Sequence, residues 1–308
     1  MNHKLSVVLL IFATGLVHAG CARLPLDDGR TPPAHFILWQ LPSQTSSQMN
    51  AYVLKTGGGK VMVIDGGTRG DAPYLEGFLA ALGNHVHAWF ISHPHPDHVD
   101  ALTAILEDLH TGKLRNLAID SIYGSMLPEE EVAKYETWSP ILLESVQKFN
   151  QIMAQMNRQV REHHLGEVIE IDGVRIEILG IKNPEITGNF LNNSSVVMRV
   201  TDAGKSVLFT GDLGTQGGQK LLASRFRDRL RADYVQMAHH GQRGVDEAFY
   251  QSVKPKFCLW PTPRWLWEND KGEGKGSGDW DTLNVRAWMK KLEVERHYLS
   301  ADGLYRIE

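Results

Sequence analysis

The sequence predicts an α/β fold in which two sheets pack between helices. Strand-like stretches are too numerous, and too often joined by tight turns, for a single doubly wound sheet. The helical stretches carry apolar stripes that need a sheet face to cover them. With 308 residues, 42% of them hydrophobic, the chain suits one large domain or two smaller ones with a real core.

The elements follow in order. "AHFILWQL" is a strand at the start of the folded part, near Ala34. "NAYVLKTGGGKVMVIDGG" reads as strand, glycine-rich turn at Thr56–Lys60, and strand, which leaves Asp65 at a strand end. "APYLEGFLAALG" has helical spacing, with Leu75, Phe78, Leu79 and Leu82 on one face. "VHAWFISH" is short enough for a strand, and "HVDALTAILEDL" behind it is helical. Residues 128–165 change texture and predict a helical insert, broken or started at Pro140. Its last part, "RQVREHHLGE", reads as helical too. Strands return in "GEVIEI", "VRIEILG", "SSVVMRV" and "KSVLFTGD", followed by a helix around 217–231, "ADYVQMAHHG", "KPKFCLW", a polar loop at 269–280 and a helix at "TLNVRAWMKKL". Each half runs through hairpins to a cluster of ligand-type residues, a parallel that suggests duplicated topology.

The N-terminus has Lys4, an apolar run from Leu5 to Val17, and then small residues. This predicts an export signal over residues 1–20, with "VHA" suiting cleavage after Ala19. "AGC" also suggests a lipid anchor at Cys21. Residues 21–33 read as a linker and 34–308 as the folded domain. The expected location is periplasmic or extracellular, and the apolar run is shorter than the roughly 20 residues a membrane span needs. Cys21 and Cys258 are the only cysteines, so no disulfide scaffold is available. The formal net charge of −4 gives non-specific nucleic-acid binding no support.

"HPHPDH" carries the strongest chemical signal: His93, His95, Asp97 and His98 fall within six residues. On extended backbone, side chains at i and i+2 point the same way. Each proline favours extension in the residue before it, here His93 and His95. Two imidazoles can thus face one ion, while Asp97 and His98 reach a second position as the chain turns into the next helix. One or two divalent ions are expected; a His/Asp set most suits Zn2+, with Mn2+ or Fe as alternatives. Asp212, after the apolar strand of "VLFTGDLG", offers a carboxylate able to bridge two cations. From "AHHG", His239 or His240 can add an imidazole, leaving its neighbour to touch substrate or donate a proton. The pattern favours His239 as ligand and His240 as proton donor. No G-x-S-x-G elbow or Walker loop is present.

From about Ala34 to the C-terminus, the chain resembles the metallo-beta-lactamase fold superfamily. "HPHPDH" matches that family's HxHxDH motif in full. Asp65 resembles the early aspartate that supports the metal site, Asp212 the bridging carboxylate and His239 the late histidine. The resemblance implies a four-layer αββα sandwich with the site at one edge. It also implies a metal-dependent hydrolase in which a metal-activated hydroxide attacks the substrate and Asp97 orients it. One departure stands out. The family's usual histidine between the first motif and Asp212 is missing; only His110, His163 and His164 occupy that interval. In its place stands "NFLNNSSVVMRV", which resembles the ComEC-like branch of exported hydrolases. There Asn193 or Ser194 can line the site or touch the metal through oxygen, or simply shape a turn.

That branch suggests a phosphodiester or other phosphate ester, small or part of the cell envelope. Alternatives are a non-catalytic metal-binding module, or a lactamase, thioesterase or lactonase. Trp260, Trp265, Trp267 and Trp280, with Arg264 and Tyr123, can rim a substrate pocket or can pack a long loop onto the domain.

Overall fold

A computed structural model describes residues 35–308. The expected export signal, the linker and Cys21 lie outside the described residues. Among the described residues no helix is long and apolar enough to cross a membrane.

The first sheet takes its strands from the N-terminal half: β1 (Phe36–Gln40), β2 (Ala51–Thr56), β3 (Val61–Asp65), β4 (His85–Phe90), β5 (Ala118–Ile119), β6 (Ile122–Gly124) and β7 (Arg161–Glu162). The second holds β8 (Val168–Ile171), β9 (Val174–Gly180), β10 (Val197–Thr201), β11 (Ser206–Phe209), β12 (Tyr234–Gln236), β13 (Phe257–Trp260) and β14 (Arg296–Leu299). The last strand, β15 (Tyr305–Ile307), returns to pair with β1. Among the helices, α1 (Ala72–Ala81), α2 (Pro96–His110), α3 (Glu129–Tyr135) and α4 (Pro140–Gln155) precede the second sheet. The others are α5 (Phe190–Asn193), α6 (Thr215–Leu222), α7 (Glu247–Val253), α8 (Arg264–Trp267) and α9 (Thr282–Lys291).

Side-chain alternation builds the layers. In β3, Met62 and Ile64 face the second sheet, while Val61 and Val63 face α1 and α2. Between the sheets, Phe36, Leu38, Tyr52 and Phe90 meet Ile176, Met198, Val207 and Phe209. A third cluster covers the outer face of the second sheet, where Val235 and Cys258 meet residues of α6, α7 and α9. Each Leu, Ile or Phe wholly withdrawn from water contributes about 1.5–3 kcal/mol over exposure, so three continuous clusters hold the αββα sandwich together.

Both sheets begin with antiparallel hairpins and continue in parallel strands. In the first sheet β1, β2 and β3 are antiparallel neighbours, and β3 then runs parallel to β4. In the second, β8 to β11 are antiparallel and β11 to β14 parallel. Hence Asp65 as the last residue of β3, His93 after β4, Asp212 after β11 and His240 after β12 all lie at or just beyond the C-terminal ends of parallel strands.

The expected insert forms α3 and α4. "RQVREHHLGE" is not helical, however: Arg161 and Glu162 pair with β6 at the sheet edge, and His163 and His164 lead into a turn. The insert also supports the site. Its residues Val132, Leu142 and Val146 pack with Phe190 and Leu191 of α5. The buried Glu136 carboxylate accepts the Leu191 N–H at 2.7 Å, which fixes the start of this short helix.

Candidate metal centre

His95 is extended (φ −72°, ψ 152°) and precedes Pro96, the first residue of α2. A proline is well placed there, because the first helical N–H has no intrahelical partner to lose. The rings of His93 and His95 come within 4.5 Å of each other, centroid to centroid. Asp97 and His98 lie in the first turn of α2, and the Asn50 N–H donates to the Asp97 carbonyl at 3.0 Å.

Asp212 arrives from the other sheet. Its N–H donates to Ser195 Oγ at 3.0 Å. Gly211 before it has φ +53°, and a Cβ there would stand 2.9 Å from both Ser195 Oγ and Ser92 Cβ. Glycine therefore lets the two sheet ends close around the carboxylate.

The donor atoms fall into two groups that share Asp212. Those of Asp97, His98, Asp212 and His240 lie within 4.8 Å of one another, as do those of His93, His95 and Asp212. His98 Nε2 is 3.2 Å from Asp212 Oδ1, and His240 Nε2 is 3.3 Å from Asp212 Oδ2 and 3.1 Å from Asp97 Oδ2. The Nε2 atoms of His93, His95, His98 and His240 and both Asp212 oxygens are buried without a hydrogen-bond partner. Buried polar atoms are almost always paired. A knot of lone pairs at this spacing fits divalent cations, which supply the missing partner.

Supporting bonds aim the ligands. His98 Nδ1 lies 2.8 Å from Asp65 Oδ2, and His240 Nδ1 lies 2.8 Å from the Pro261 carbonyl. Donation from Nδ1 leaves the Nε2 lone pair free for metal. Asp65 also accepts from Ser92 N–H, Ser92 Oγ and Asn50 Nδ2, each at 2.7 Å. Nothing in the sequence marks Asn50 or Ser92 for this role, since neither belongs to a recognisable motif. Replacing Asp65 by asparagine, which tolerates the φ of 56°, is expected to weaken metal binding about 10–100-fold. Competitive titration against a chromophoric chelator measures this.

Burial pushes His93 down, aided by His98 and His95, and lowers His95 to about 4, so both are neutral donors. Burial also acts to lower His98 and His240, but the carboxylates outweigh it. Asp212 and Asp65 raise His98, and Asp212 with Asp97 pushes His240 up to about 9. Against their own burial, Asp97 is held down chiefly by His240, and Asp212 by His240 and His98.

Several expectations need correction. His240, not His239, joins the four-residue group. Its ring is fully buried with Nε2 inside the cluster, a placement that suits a ligand. His239 lies in neither group. Asn193 and Ser194 are occupied elsewhere: Asn193 spans from the Gly188 carbonyl to the Gly217 N–H, and Ser194 Oγ accepts from Asn183 N–H. Their neighbours Asn192 and Ser195 face the site instead. Asn192 Nδ2 is 3.5 Å from His239 Nε2.

The tryptophans form no single ring. Trp260 is fully buried and meets Trp267 edge to face, while Arg286 stacks on Trp267. Trp265 pairs with Trp280 and donates to the Ser46 carbonyl at 2.9 Å. Arg264 pairs with Asp302, and Tyr123 stacks on Phe90 and His163. A further surface group, His85, His87 and Asp120, sits at the other end of β4. His85 already bonds Asp120, and His87 Nδ1 accepts from Val61 N–H.

Comparison with known proteins agrees with this geometry. ComE operon protein 3 of Bacillus subtilis (strain 168) is 25% identical over 184 residues, 59% of this chain. The chain spans only 21% of that relative's length. The structure of the metallo-beta-lactamase fold protein YhfI from Bacillus subtilis aligns with a TM-score of 0.53 and 12% identity, covering 89% of this chain and all of YhfI. At that identity the likeness shows the fold alone. The family model of the metallo-beta-lactamase superfamily matches residues 45–246, from the loop before β2 to the start of α7, and so takes in both donor groups. The chain belongs to the metallo-beta-lactamase superfamily.

Proposed function

We propose that this protein is a metal-dependent hydrolase of phosphodiesters or other phosphate esters, exported and acting on a small-molecule or cell-envelope substrate. The observation that carries this reading is the pair of donor groups sharing the Asp212 carboxylate. His93 and His95 with Asp212 would hold one ion, and Asp97, His98 and His240 with Asp212 the other; the donor set best suits Zn2+. Bound there, divalent ions acidify water from a pKa of about 15.7 to roughly 7 and neutralise charge on phosphoryl oxygens. Two positions side by side suit displacement at phosphorus, where attacking and leaving oxygens both carry charge.

The chain's own residues do the rest. Asp65 and the Pro261 carbonyl fix the His98 and His240 tautomers. Asp97 keeps an ionised oxygen beside the shared carboxylate, placed to orient the attacking oxygen. His239, 18% exposed, lies on the solvent side of the buried donors. Export and a lipid anchor at Cys21 stay part of the proposal.

Purified protein loaded with Zn2+ or Mn2+ should hydrolyse bis-p-nitrophenyl phosphate and lose that activity on chelation. Turnover confined to nitrocefin, a thioester or a lactone would replace the phosphoesterase reading. Bound metal without turnover on any of these would make the protein a metal-binding module.

A further inference from the structure

The first metal position holds only two imidazoles and the shared carboxylate, because the family's intervening histidine is missing. We propose that His239 supplies its third nitrogen, so that the "HH" dipeptide serves both metal positions, His240 the second and His239 the first. The inference rests on the metal-binding part of the proposed function and is independent of the substrate.

Geometry points to His239. Its Nε2 is 3.9 Å from Asp212 Oδ2, matching the 4.0 Å of His93 Nε2 from the same oxygen. Donors sharing one ion at about 2.1 Å lie about 3–4 Å apart. His239 Nδ1 lies 3.3 Å from the Arg243 carbonyl. A proton on Nδ1 there would leave Nε2 unprotonated, as at His240, whose Nδ1 faces the Pro261 carbonyl.

The backbone is built to divide the pair. His239 (φ 51°, ψ 48°) and His240 (φ 56°, ψ 21°) are consecutive left-handed residues. Such backbone is strained for a residue with a side chain and is kept where the surroundings enforce it. Here they do: His239 N–H donates to the Gly211 carbonyl beside Asp212, and the His240 carbonyl accepts from Thr262 Oγ1. The result is two rings 6.2 Å apart, each with Nε2 toward one carboxylate.

The three histidines between the first motif and Asp212 are committed elsewhere. His163 packs against both Phe90 and Tyr123 and is bonded to Glu167. His110 sits exposed at the far end of α2, and His164 is exposed in its turn. The His239 side chain is 18% exposed, whereas those of His93, His98 and His240 are at 0%. Lying outside the 4.8 Å group, it must turn inward to close the position, and its exposure leaves room to do so. The first ion is therefore the weaker and more exchangeable one.

The test is metal stoichiometry with Co2+ as probe, followed by calorimetry and by visible absorption of the bound ion. Wild-type protein should take up two equivalents of unequal affinity. His239→Asn, chosen because asparagine tolerates the left-handed backbone, should keep the tighter ion with an unchanged spectrum. It should bind the weaker ion about 100-fold less well or not at all. Melting of the metal-free variant checks the fold, and His239→Gly, equally suited to that φ, provides a second reading. Two equivalents at wild-type affinity in both variants would overturn the inference and make His239 a substrate contact. A single equivalent in the wild type would overturn it too, leaving the phosphoesterase reading to its own assay. No uptake by the wild type would overturn both.

Discussion

Replacing Asp212 by asparagine is expected to empty the first metal position, weaken the second about 100-fold, and cut phosphodiester hydrolysis by about 10²–10³-fold or more. The two positions suffer unequally because their remaining donors differ. Without the carboxylate, His93 and His95 keep only His239, which must turn inward from the edge of the site, while Asp97, His98 and His240 already converge. The fold should survive. Removing one partner of a buried ion pair normally costs several kcal/mol through the charge left behind, but His98 and His240 can release their protons and become neutral. Metal analysis, the rate on bis-p-nitrophenyl phosphate and a thermal melt together test this. Two full equivalents of metal in the variant would show that Asp212 is not shared.

Chelation is expected to abolish hydrolysis, and metal affinity should rise from pH 7 to about pH 9. His240 is pushed up to about 9 by Asp212 and Asp97, so at neutral pH an entering cation must displace its proton. Calorimetry in buffers of different ionisation enthalpy should register that release. Stability of the metal-free protein runs the other way. A histidine raised from 6.5 to about 9 stabilises fully below pH 6.5 and loses that contribution as the pH climbs through 9. His95, lowered to about 4, contributes above pH 6.5 and loses its contribution as the pH falls toward 4. Melting of the chelated protein should therefore peak near neutrality and fall on both sides. A melting temperature climbing steadily through pH 9 would contradict the assignment of His240 to the buried ion cluster.

The first motif was legible because its geometry is local. Prolines at 94 and 96 extend the residues before them, alternation sends His93 and His95 one way, and the start of α2 carries Asp97 and His98 the other. Asp65 and Asp212 were legible for a similar reason, each ending an apolar strand beside glycine. The layered fold could be read from strand number and helix stripes, and the family motif named the sandwich. Less could be read where one residue of register decides the outcome. In "NNSS", a single turn of α5 turns Asn193 and Ser194 away and brings Asn192 and Ser195 in, and that turn is pinned by Glu136 from an insert some fifty residues earlier. In "HH", both candidates had the right chemistry. Only the left-handed backbone, held by Gly211 and Thr262, sends His240 into the buried cluster and leaves His239 at its edge. The tryptophans were close in sequence but were separated by packing. The sequence by itself determined which chemistry this protein can hold, because ligand type and strand-end spacing are properties of short segments. Which of two neighbouring side chains faces the metal was decided by the tertiary structure, since that choice depends on contacts between segments far apart in the chain.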